Sequence, residues 1–140
     1  IIVLLIAFTA FQCNCKKQGV RVSETKNLII TNSGISEAEK PSYTIKSVAI
    51  DGKILNVNLE TLGQKGKNEF ELLWSGAVMK SLPPKAVFVI SHKPIDVSGK
   101  QKIEHNLRFN LQPMLDKLAN YNEIIIMISG FEESLKYTKK

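Results

Sequence analysis

The chain has 140 residues, of which 19 are Lys or Arg and 13 are Asp or Glu, so its formal net charge is +6. This length accommodates one domain with a modest core, and the basic excess favours anionic over basic partners. Both cysteines precede position 16, which excludes a disulfide framework in the rest of the chain.

The chain begins with an uncharged run in which Thr9 is the only polar residue before Gln12. The run is short of the roughly 20 apolar residues of a membrane-spanning helix but fits the about 7 to 15 of a signal-peptide hydrophobic region. Because the chain starts with Ile1 and no basic residue precedes the run, residues 1–12 are predicted to be such a region, truncated at its N-terminus. A truncated membrane anchor and a buried core strand remain alternatives.

A cysteine directly follows this run, as lipoprotein processing requires. Ala10, Phe11 and Gln12 lead into Cys13, and the stretch resembles the lipobox of Bacteroidetes-type lipoproteins, although a typical lipobox has Gly, Ala or Ser where this chain has Gln12. The resemblance implies that Cys13 is acylated, with Cys15 as the fallback, and that the lipid anchors the chain to a membrane. A Cys-x-Cys pair alone supplies too few ligands for a tetrahedral zinc site.

Residues 13–41 are predicted to form the lipidated cysteine and a flexible tether, because polar residues dominate this segment. Its only apolar cluster is Leu28, Ile29 and Ile30, and the alternative is that residues 28–31 add a strand to an edge of the domain. The early basic residues would lie against lipid headgroups or serve as ordinary solubilising charges. These residues are Lys16, Lys17 and Arg21.

Residues 42–140 are predicted to fold as one domain built from strands. Apolar residues alternate on both sides of Asp51 and Gly52, and such a pair between alternating runs is a strong hairpin signal. Pro83 and Pro84 mark a connection between strands, because proline cannot donate to a strand ladder. The predicted strands cover residues 43–50, 54–59, 70–74, 86–90, 103–111, 123–128 and 135–137, and a short helix covers residues 113–119.

About seven strands at this spacing with almost no helix predict an all-β fold, an immunoglobulin-like antiparallel β-sandwich with one short helix. A small up-and-down β-barrel is the alternative, because periodicity does not separate the two. Trp74 lies on an alternating strand and is the single tryptophan. We therefore expect it to anchor the core between the sheets.

The middle of the domain resembles a group of small uncharacterised Bacteroidetes envelope lipoproteins. In that group a strand ending in Trp-x-Gly leads to a Ser-x-Pro-Pro stretch, an apolar strand and a Phe-Asn/Asp-Leu segment, which correspond here to residues 70–76, 80–85 and 109–111. The likeness covers residues 69–111 and implies a cell-envelope location but no activity. Members often carry two cysteines in the domain, whereas this chain has none after Cys15.

The residues that could carry chemistry do not form a known catalytic pattern. His92 and His105 are the only histidines, neither has a Glu at metal-ligand spacing, and both are expected to be surface or hydrogen-bonded histidines. There is no Gly-x-Ser-x-Gly elbow and no phosphate-cradling glycine spacing. The sequence therefore predicts no enzyme, no cofactor and no metal site.

The remaining signal is positive charge around two loops. A basic patch is predicted to bind an anionic glycan, lipopolysaccharide or an acidic protein, against the alternative of a scattered solvated surface. Basic residues without interleaved aromatics, together with an envelope location, argue against nucleic acid. The candidate binding residues are Lys80, Ser81, Lys85, Lys93, Lys100 and Lys102.

Two functions follow from these patterns. The first is a lipid-anchored binding or accessory module of the outer membrane. Lipoproteins of related bacteria that are exported to the cell surface have acidic residues just after the lipidated cysteine, whereas residues 14–21 have none here. This resemblance implies that the domain faces the periplasm. The alternative is an inhibitor that blocks a periplasmic hydrolase with an exposed loop such as residues 81–85.

Overall fold

A computed structural model describes residues 23–31, 33, 35, 41–63, 68–93 and 100–140. The predicted signal-peptide region, Cys13 and Cys15 lie outside these residues. Two β-sheets enclose a core of buried apolar side chains. The strands are β1 (Lys26–Asn27), β2 (Ile29–Ile30), β3 (Tyr43–Asp51), β4 (Ile54–Leu62), β5 (Glu69–Trp74), β6 (Lys85–Lys93), β7 (Lys102–Asn110), β8 (Glu123–Ile128) and β9 (Leu135–Thr138), and the helix α1 is Gln112–Lys117.

The first sheet has the strand order β1-β7-β4-β3, and the second has the order β2-β5-β6-β8-β9. Three neighbouring pairs are parallel, namely β1 with β7, β2 with β5 and β6 with β8, and the other pairs are antiparallel. Within the described residues the sheets stay separate and do not close into a barrel. The predicted β-sandwich is therefore confirmed, but its sheets are mixed and not antiparallel throughout as predicted.

The seven long strands occupy the predicted positions, and the β3–β4 hairpin shows why. Asp51 pairs with Ile54, so Gly52 and Lys53 form a two-residue loop. Gly52 has a φ of 59°, and a positive φ at the first loop position alone is the pattern of a type II′ turn, which matches the twist of the flanking strands. Along β4, buried and partly exposed residues alternate, as expected for a strand with one face on the core.

The core is formed mainly by the inner faces of β4, β5, β6 and β8. Trp74 is completely buried and packs edge to face on Phe88, with ring centroids 6.2 Å apart. Its Nε1 donates a hydrogen bond to the carbonyl oxygen of Ala77 at 2.8 Å, so the indole has no unpaired donor in the core. The prediction that Trp74 anchors the core is confirmed.

Within the predicted tether, residues 23–31 lie on the sandwich instead of extending away from it. Leu28 is only 3% exposed, and its backbone N–H donates to the carbonyl oxygen of Asn110 at 3.0 Å. The residues before Leu28 form β1, which pairs with β7, and the residues after it form β2, which pairs with β5. The segment therefore joins the edges of both sheets. The structure therefore confirms the alternative prediction that residues 28–31 add a strand to an edge of the domain.

The helix α1 carries the chain from β7 in the first sheet to β8 in the second sheet. Pro113 lies in its first turn, and Met114 is fully buried beneath it. Its six residues are far too few for a bilayer span, and no helix in the described part of the chain is long and apolar enough to be one.

Candidate functional site: an exposed apolar loop between β5 and β6

The connection between β5 and β6 ends in a tight, well-anchored loop. We call residues 79–84 the proline loop. Met79 and Lys85 form an antiparallel bridge across its base, with N···O distances of 2.8 and 3.4 Å. On the far side, the carbonyl oxygen of the buried Pro84 accepts a hydrogen bond from the backbone N–H of Ile125 at 2.9 Å. Both ends of the loop are therefore fixed to the sandwich.

The proline loop presents apolar side chains to solvent, one at its tip and one at its base. Leu82 is 97% exposed and Met79 is 51% exposed. The hydroxyl of Ser81 points back towards the loop backbone and donates a hydrogen bond to the carbonyl oxygen of Pro83 at 2.7 Å. The Leu82–Pro83 peptide bond is cis. The loop is thus ordered by its own backbone and by the sheet, while the side chain of Leu82 has almost no contact with the protein.

The charge around this loop is positive. Residues 75–85 include Lys80 and Lys85 and no acidic residue. Lys80 is exposed and Lys85 is half-buried at the start of β6. Within this segment, the apolar side chain of Leu82 therefore lies between two lysines in sequence and no acidic residue is adjacent to it.

The other three lysines of the predicted patch lie at the opposite end of the sandwich. Lys93 ends β6, whereas Lys85 begins it, and nine residues of extended strand separate such ends by about 26 Å. Lys93 also lies 3.9 Å from a carboxylate oxygen of Glu71, and Lys102 lies 3.5 Å from one of Glu60. Lys100 is exposed just before β7. The structure therefore groups Lys80, Ser81 and Lys85 but does not bring all six predicted residues together.

Both histidines lie at this second end and pack on Phe70. The ring of His92 stacks on the ring of Phe70 at 4.6 Å, and that of His105 meets it at 60° and 5.0 Å. Burial lowers the pKa of both imidazoles, and the neighbouring His105 lowers the pKa of His92 further. Each has hydrogen-bond partners, which confirms the prediction of hydrogen-bonded histidines. The described residues contain no cluster of three metal-ligating side chains.

Leu82 is the part of this site that the sequence did not single out. Its neighbours Pro83 and Pro84 identified a connection, but they gave no sign that the leucine between serine and proline would be exposed. The available signal was an apolar residue inside a Ser-x-Pro-Pro loop that does not follow the alternation of either flanking strand.

Comparison with known proteins shows similarity at the level of structure. No family model and no curated protein sequence matches the chain. A NigD-like immunity protein from Bacteroides caccae is 13% identical, with a TM-score of 0.55, and the match covers 85% of this chain and 64% of that protein. A protein from Parabacteroides distasonis, provisionally described as toxin-related, is 20% identical with a TM-score of 0.51 over 82% of this chain and 60% of its own.

A third similar structure comes from Bacteroides fragilis and is provisionally described as a lipoprotein. It is 9% identical, with a TM-score of 0.50, over 82% of this chain and 69% of its own. This chain thus spans less than two thirds of the toxin-related and immunity proteins. At these identities the comparisons establish the fold, a β-sandwich shared with proteins from the genera Bacteroides and Parabacteroides.

Proposed function

We propose that this chain is a lipid-anchored module of the bacterial cell envelope whose proline loop binds a partner protein without catalysing a reaction there. The observation that carries the proposal is Leu82, which is 97% exposed on a loop fixed at both ends. The lipobox-like stretch before Cys13 and the structural similarity to a lipoprotein and to an immunity protein support an accessory role in the envelope.

An exposed leucine alone would be unremarkable, because single apolar residues are common on protein surfaces. Here the exposed side chain stands on a backbone that is already ordered, so binding would cost little conformational entropy. Full burial of a leucine side chain contributes about 1.5 to 3 kcal/mol. A rigid apolar tip is therefore suited to fill a pocket on another protein.

The lysines beside the tip restrict the chemistry of the partner. Lys80 and Lys85 flank residues 81–84, and residues 75–85 contain no acidic residue. Charges at the edge of an interface increase the association rate and select partners of opposite charge. The partner we propose is an acidic protein with an apolar pocket edged by carboxylates. We prefer it to the glycan and lipopolysaccharide alternatives because a folded protein can enclose a single leucine side chain in a pocket.

A second candidate, inhibition of a periplasmic hydrolase, uses the same loop. A loop held rigid at its base can occupy a substrate cleft without being drawn into the geometry needed for cleavage. The ordered base between Met79 and Lys85 favours this candidate. Addition of the purified protein to a panel of envelope hydrolases would test it, and no inhibition at micromolar concentration would remove it.

Site-specific photo-crosslinking in the native bacterium tests the binding proposal. A photoreactive amino acid at position 82 is expected to give one discrete adduct, which disappears when Lys80→Glu and Lys85→Glu are combined with it. The matched control is position 62, because Leu62 is also an exposed apolar residue, at 63%. Leu62 is the last residue of β4 and pairs with Lys102, at the end of the sandwich opposite the proline loop. The same adducts from both positions, or none from position 82, would refute the binding proposal.

The membrane anchor needs a separate test. Cys13→Ala is expected to move the protein from the membrane fraction to the soluble fraction while the sandwich stays folded, and Cys15→Ala is expected to leave it in the membrane. If Cys15→Ala alone releases the protein, the acylated residue is the fallback cysteine. Retention of the double variant in the membrane would contradict lipid anchoring at either position.

A further inference from the structure

Three polar residues that are distant in sequence meet at the end of the sandwich opposite the proline loop. Ser42 directly precedes β3, Asn68 directly precedes β5, and His92 lies near the end of β6. The hydroxyl oxygen of Ser42 is 2.6 Å from Nδ1 of His92, and the side-chain carbonyl oxygen Oδ1 of Asn68 is 3.0 Å from Nε2. The imidazole is therefore hydrogen-bonded through both of its nitrogens.

The neighbouring strands hold the imidazole in this position. His92 pairs with Phe70 across β5 and β6, and their rings are almost parallel, with an interplanar angle of 9°. Tyr43 approaches the imidazole edge-on at 6.4 Å, and its hydroxyl donates to the carbonyl oxygen of Ile90 at 2.8 Å. Because Tyr43 follows Ser42, this bond also fixes the serine next to the imidazole.

The hydrogen bonds determine which nitrogen carries the proton. Oδ1 of Asn68 can only accept, so Nε2 of His92 must donate to it. In the neutral imidazole Nδ1 then has a free lone pair, and the hydroxyl of Ser42 donates to it. Burial and the nearby His105 lower the pKa of His92, which keeps the imidazole neutral at pH 7. Ser42 itself is exposed, so a reagent in solution can reach its oxygen.

A serine hydroxyl bonded to a neutral imidazole, which a third residue orients, is the arrangement of an activated nucleophile. We propose that Ser42 is such a nucleophile, with His92 as its base and Asn68 as a positioning residue, and that it accepts an acyl group from small activated carboxylic esters. Oγ of Ser42 bonds to the ester carbonyl carbon, and the bond from that carbon to the leaving oxygen breaks. The serine proton passes to Nδ1 of His92 and then to the departing alkoxide.

A fluorophosphonate probe tests this reactivity directly. Its phosphorus bonds to the serine oxygen, fluoride leaves, and the adduct is located by mass spectrometry of peptides from the full chain. Ser81 is a control within the same molecule, because it is also exposed but its hydroxyl donates to a backbone carbonyl instead of a base. A general base contributes roughly 100-fold or more to a rate, so Ser42 is expected to be labelled at least about tenfold faster than Ser81 at pH 8.

The pH dependence distinguishes a catalytic base from a structural histidine. The labelling rate of Ser42 is expected to fall with decreasing pH as His92 takes up a proton. Asn68→Asp places a carboxylate at Nε2, which stabilises the imidazolium, so the midpoint of the rate profile is expected to move to higher pH. His92→Gln is expected to reduce labelling of Ser42 to the level of Ser81. His105→Gln is the matched control and is expected to change labelling at pH 8 by less than about twofold. Its ring bonds to Thr61 and not to Ser42 or His92, and because the pKa of His105 is lowered from 6.5, the ring has no charge at pH 8 that would act on His92.

The comparison of two serines in the unaltered protein does not depend on whether any variant folds. Equal labelling of Ser42 and Ser81, or a labelling rate without an imidazole-like pH midpoint, would overturn the proposal. Unchanged labelling in folded His92→Gln would do the same. The proline loop takes no part in this reaction, so either proposal can fail while the other stands.

Discussion

Replacement of Leu28 tests whether the segment before residue 32 belongs to the domain. Leu28 is 3% exposed and packs at the margin of the core, whereas the adjacent Ile29 is 41% exposed. Truncation of a buried leucine to alanine costs about 2 to 5 kcal/mol. Because Leu28 lies beside two edge strands that can partly relax, we expect Leu28→Ala to lower the free energy of unfolding by about 2 to 3 kcal/mol. Ile29→Ala should cost about 1 kcal/mol or less.

The measurement is equilibrium unfolding in urea, followed by tryptophan fluorescence. Trp74 is the single tryptophan and is completely buried, so its emission reports the core alone. For a small domain the m-value is about 1 to 3 kcal/mol per molar urea, so Leu28→Ala should lower the midpoint by about 0.7 to 3 M. If both variants unfold within experimental error of the original protein, residues 23–31 are a tether and their placement on the sandwich is wrong.

Two further predictions concern the ends of the sandwich. The pKa of His92 and of His105 is lowered in the folded protein, so below their ordinary pKa of 6.5 the unfolded chain binds more protons, and stability should fall as the pH decreases from 6.5 towards the folded pKa values. Urea midpoints at pH 7.5 and 5.5 measure this effect, and an equally steep loss in the His92→Gln, His105→Gln double variant would contradict its assignment. At the other end, Trp74→Phe removes the hydrogen bond to Ala77 and part of the core volume, and should cost about 2 to 4 kcal/mol in urea unfolding followed by circular dichroism. A loss below about 0.5 kcal/mol would show that the indole is not an anchor.

The strands were predictable because their signal is local. Alternation along β4 and β5 and the nearly continuous apolar run of β6 each identified a strand within a residue or a few of its observed ends. Asp51 and Gly52, between two alternating runs, identified the hairpin. Such patterns depend only on which face of a strand meets the core, and the sequence contains that information directly.

The pairing of the strands was not predictable in the same way. β6 pairs in parallel with β8, and α1 connects the two sheets, but periodicity carries no information about which strand lies beside which or in which direction. The strands β1 and β2 have two residues each, too few to show any period. Their place on the sandwich depends on Leu28, whose burial follows from the tertiary structure.

The candidate site illustrates the same limit. Proximity in sequence grouped Lys85 with Lys93, yet an extended strand carries its two ends apart by about 3.3 Å per residue. Conversely, Ser42, Asn68 and His92 are separated by at least 24 positions in the chain and meet only because the starts of β3 and β5 adjoin the end of β6. A rule based on spacing in the sequence would have predicted neither the separation of the lysines nor the meeting of Ser42, Asn68 and His92.

The position of both proposed sites on β6 makes them separable. β6 is the middle strand of the five-stranded sheet, paired to β5 on one side and β8 on the other, and its inner residues are buried. The proline loop precedes its first residue, and His92 is next to its last. Perturbations of sites more than about 7 to 10 Å apart without shared partners are usually additive. The Leu82 side chain is almost fully exposed, so Leu82→Asp should abolish co-purification of the partner that the crosslink identifies while leaving the labelling rate of Ser42 unchanged. A coupled loss of both would mean that the two ends communicate through this strand.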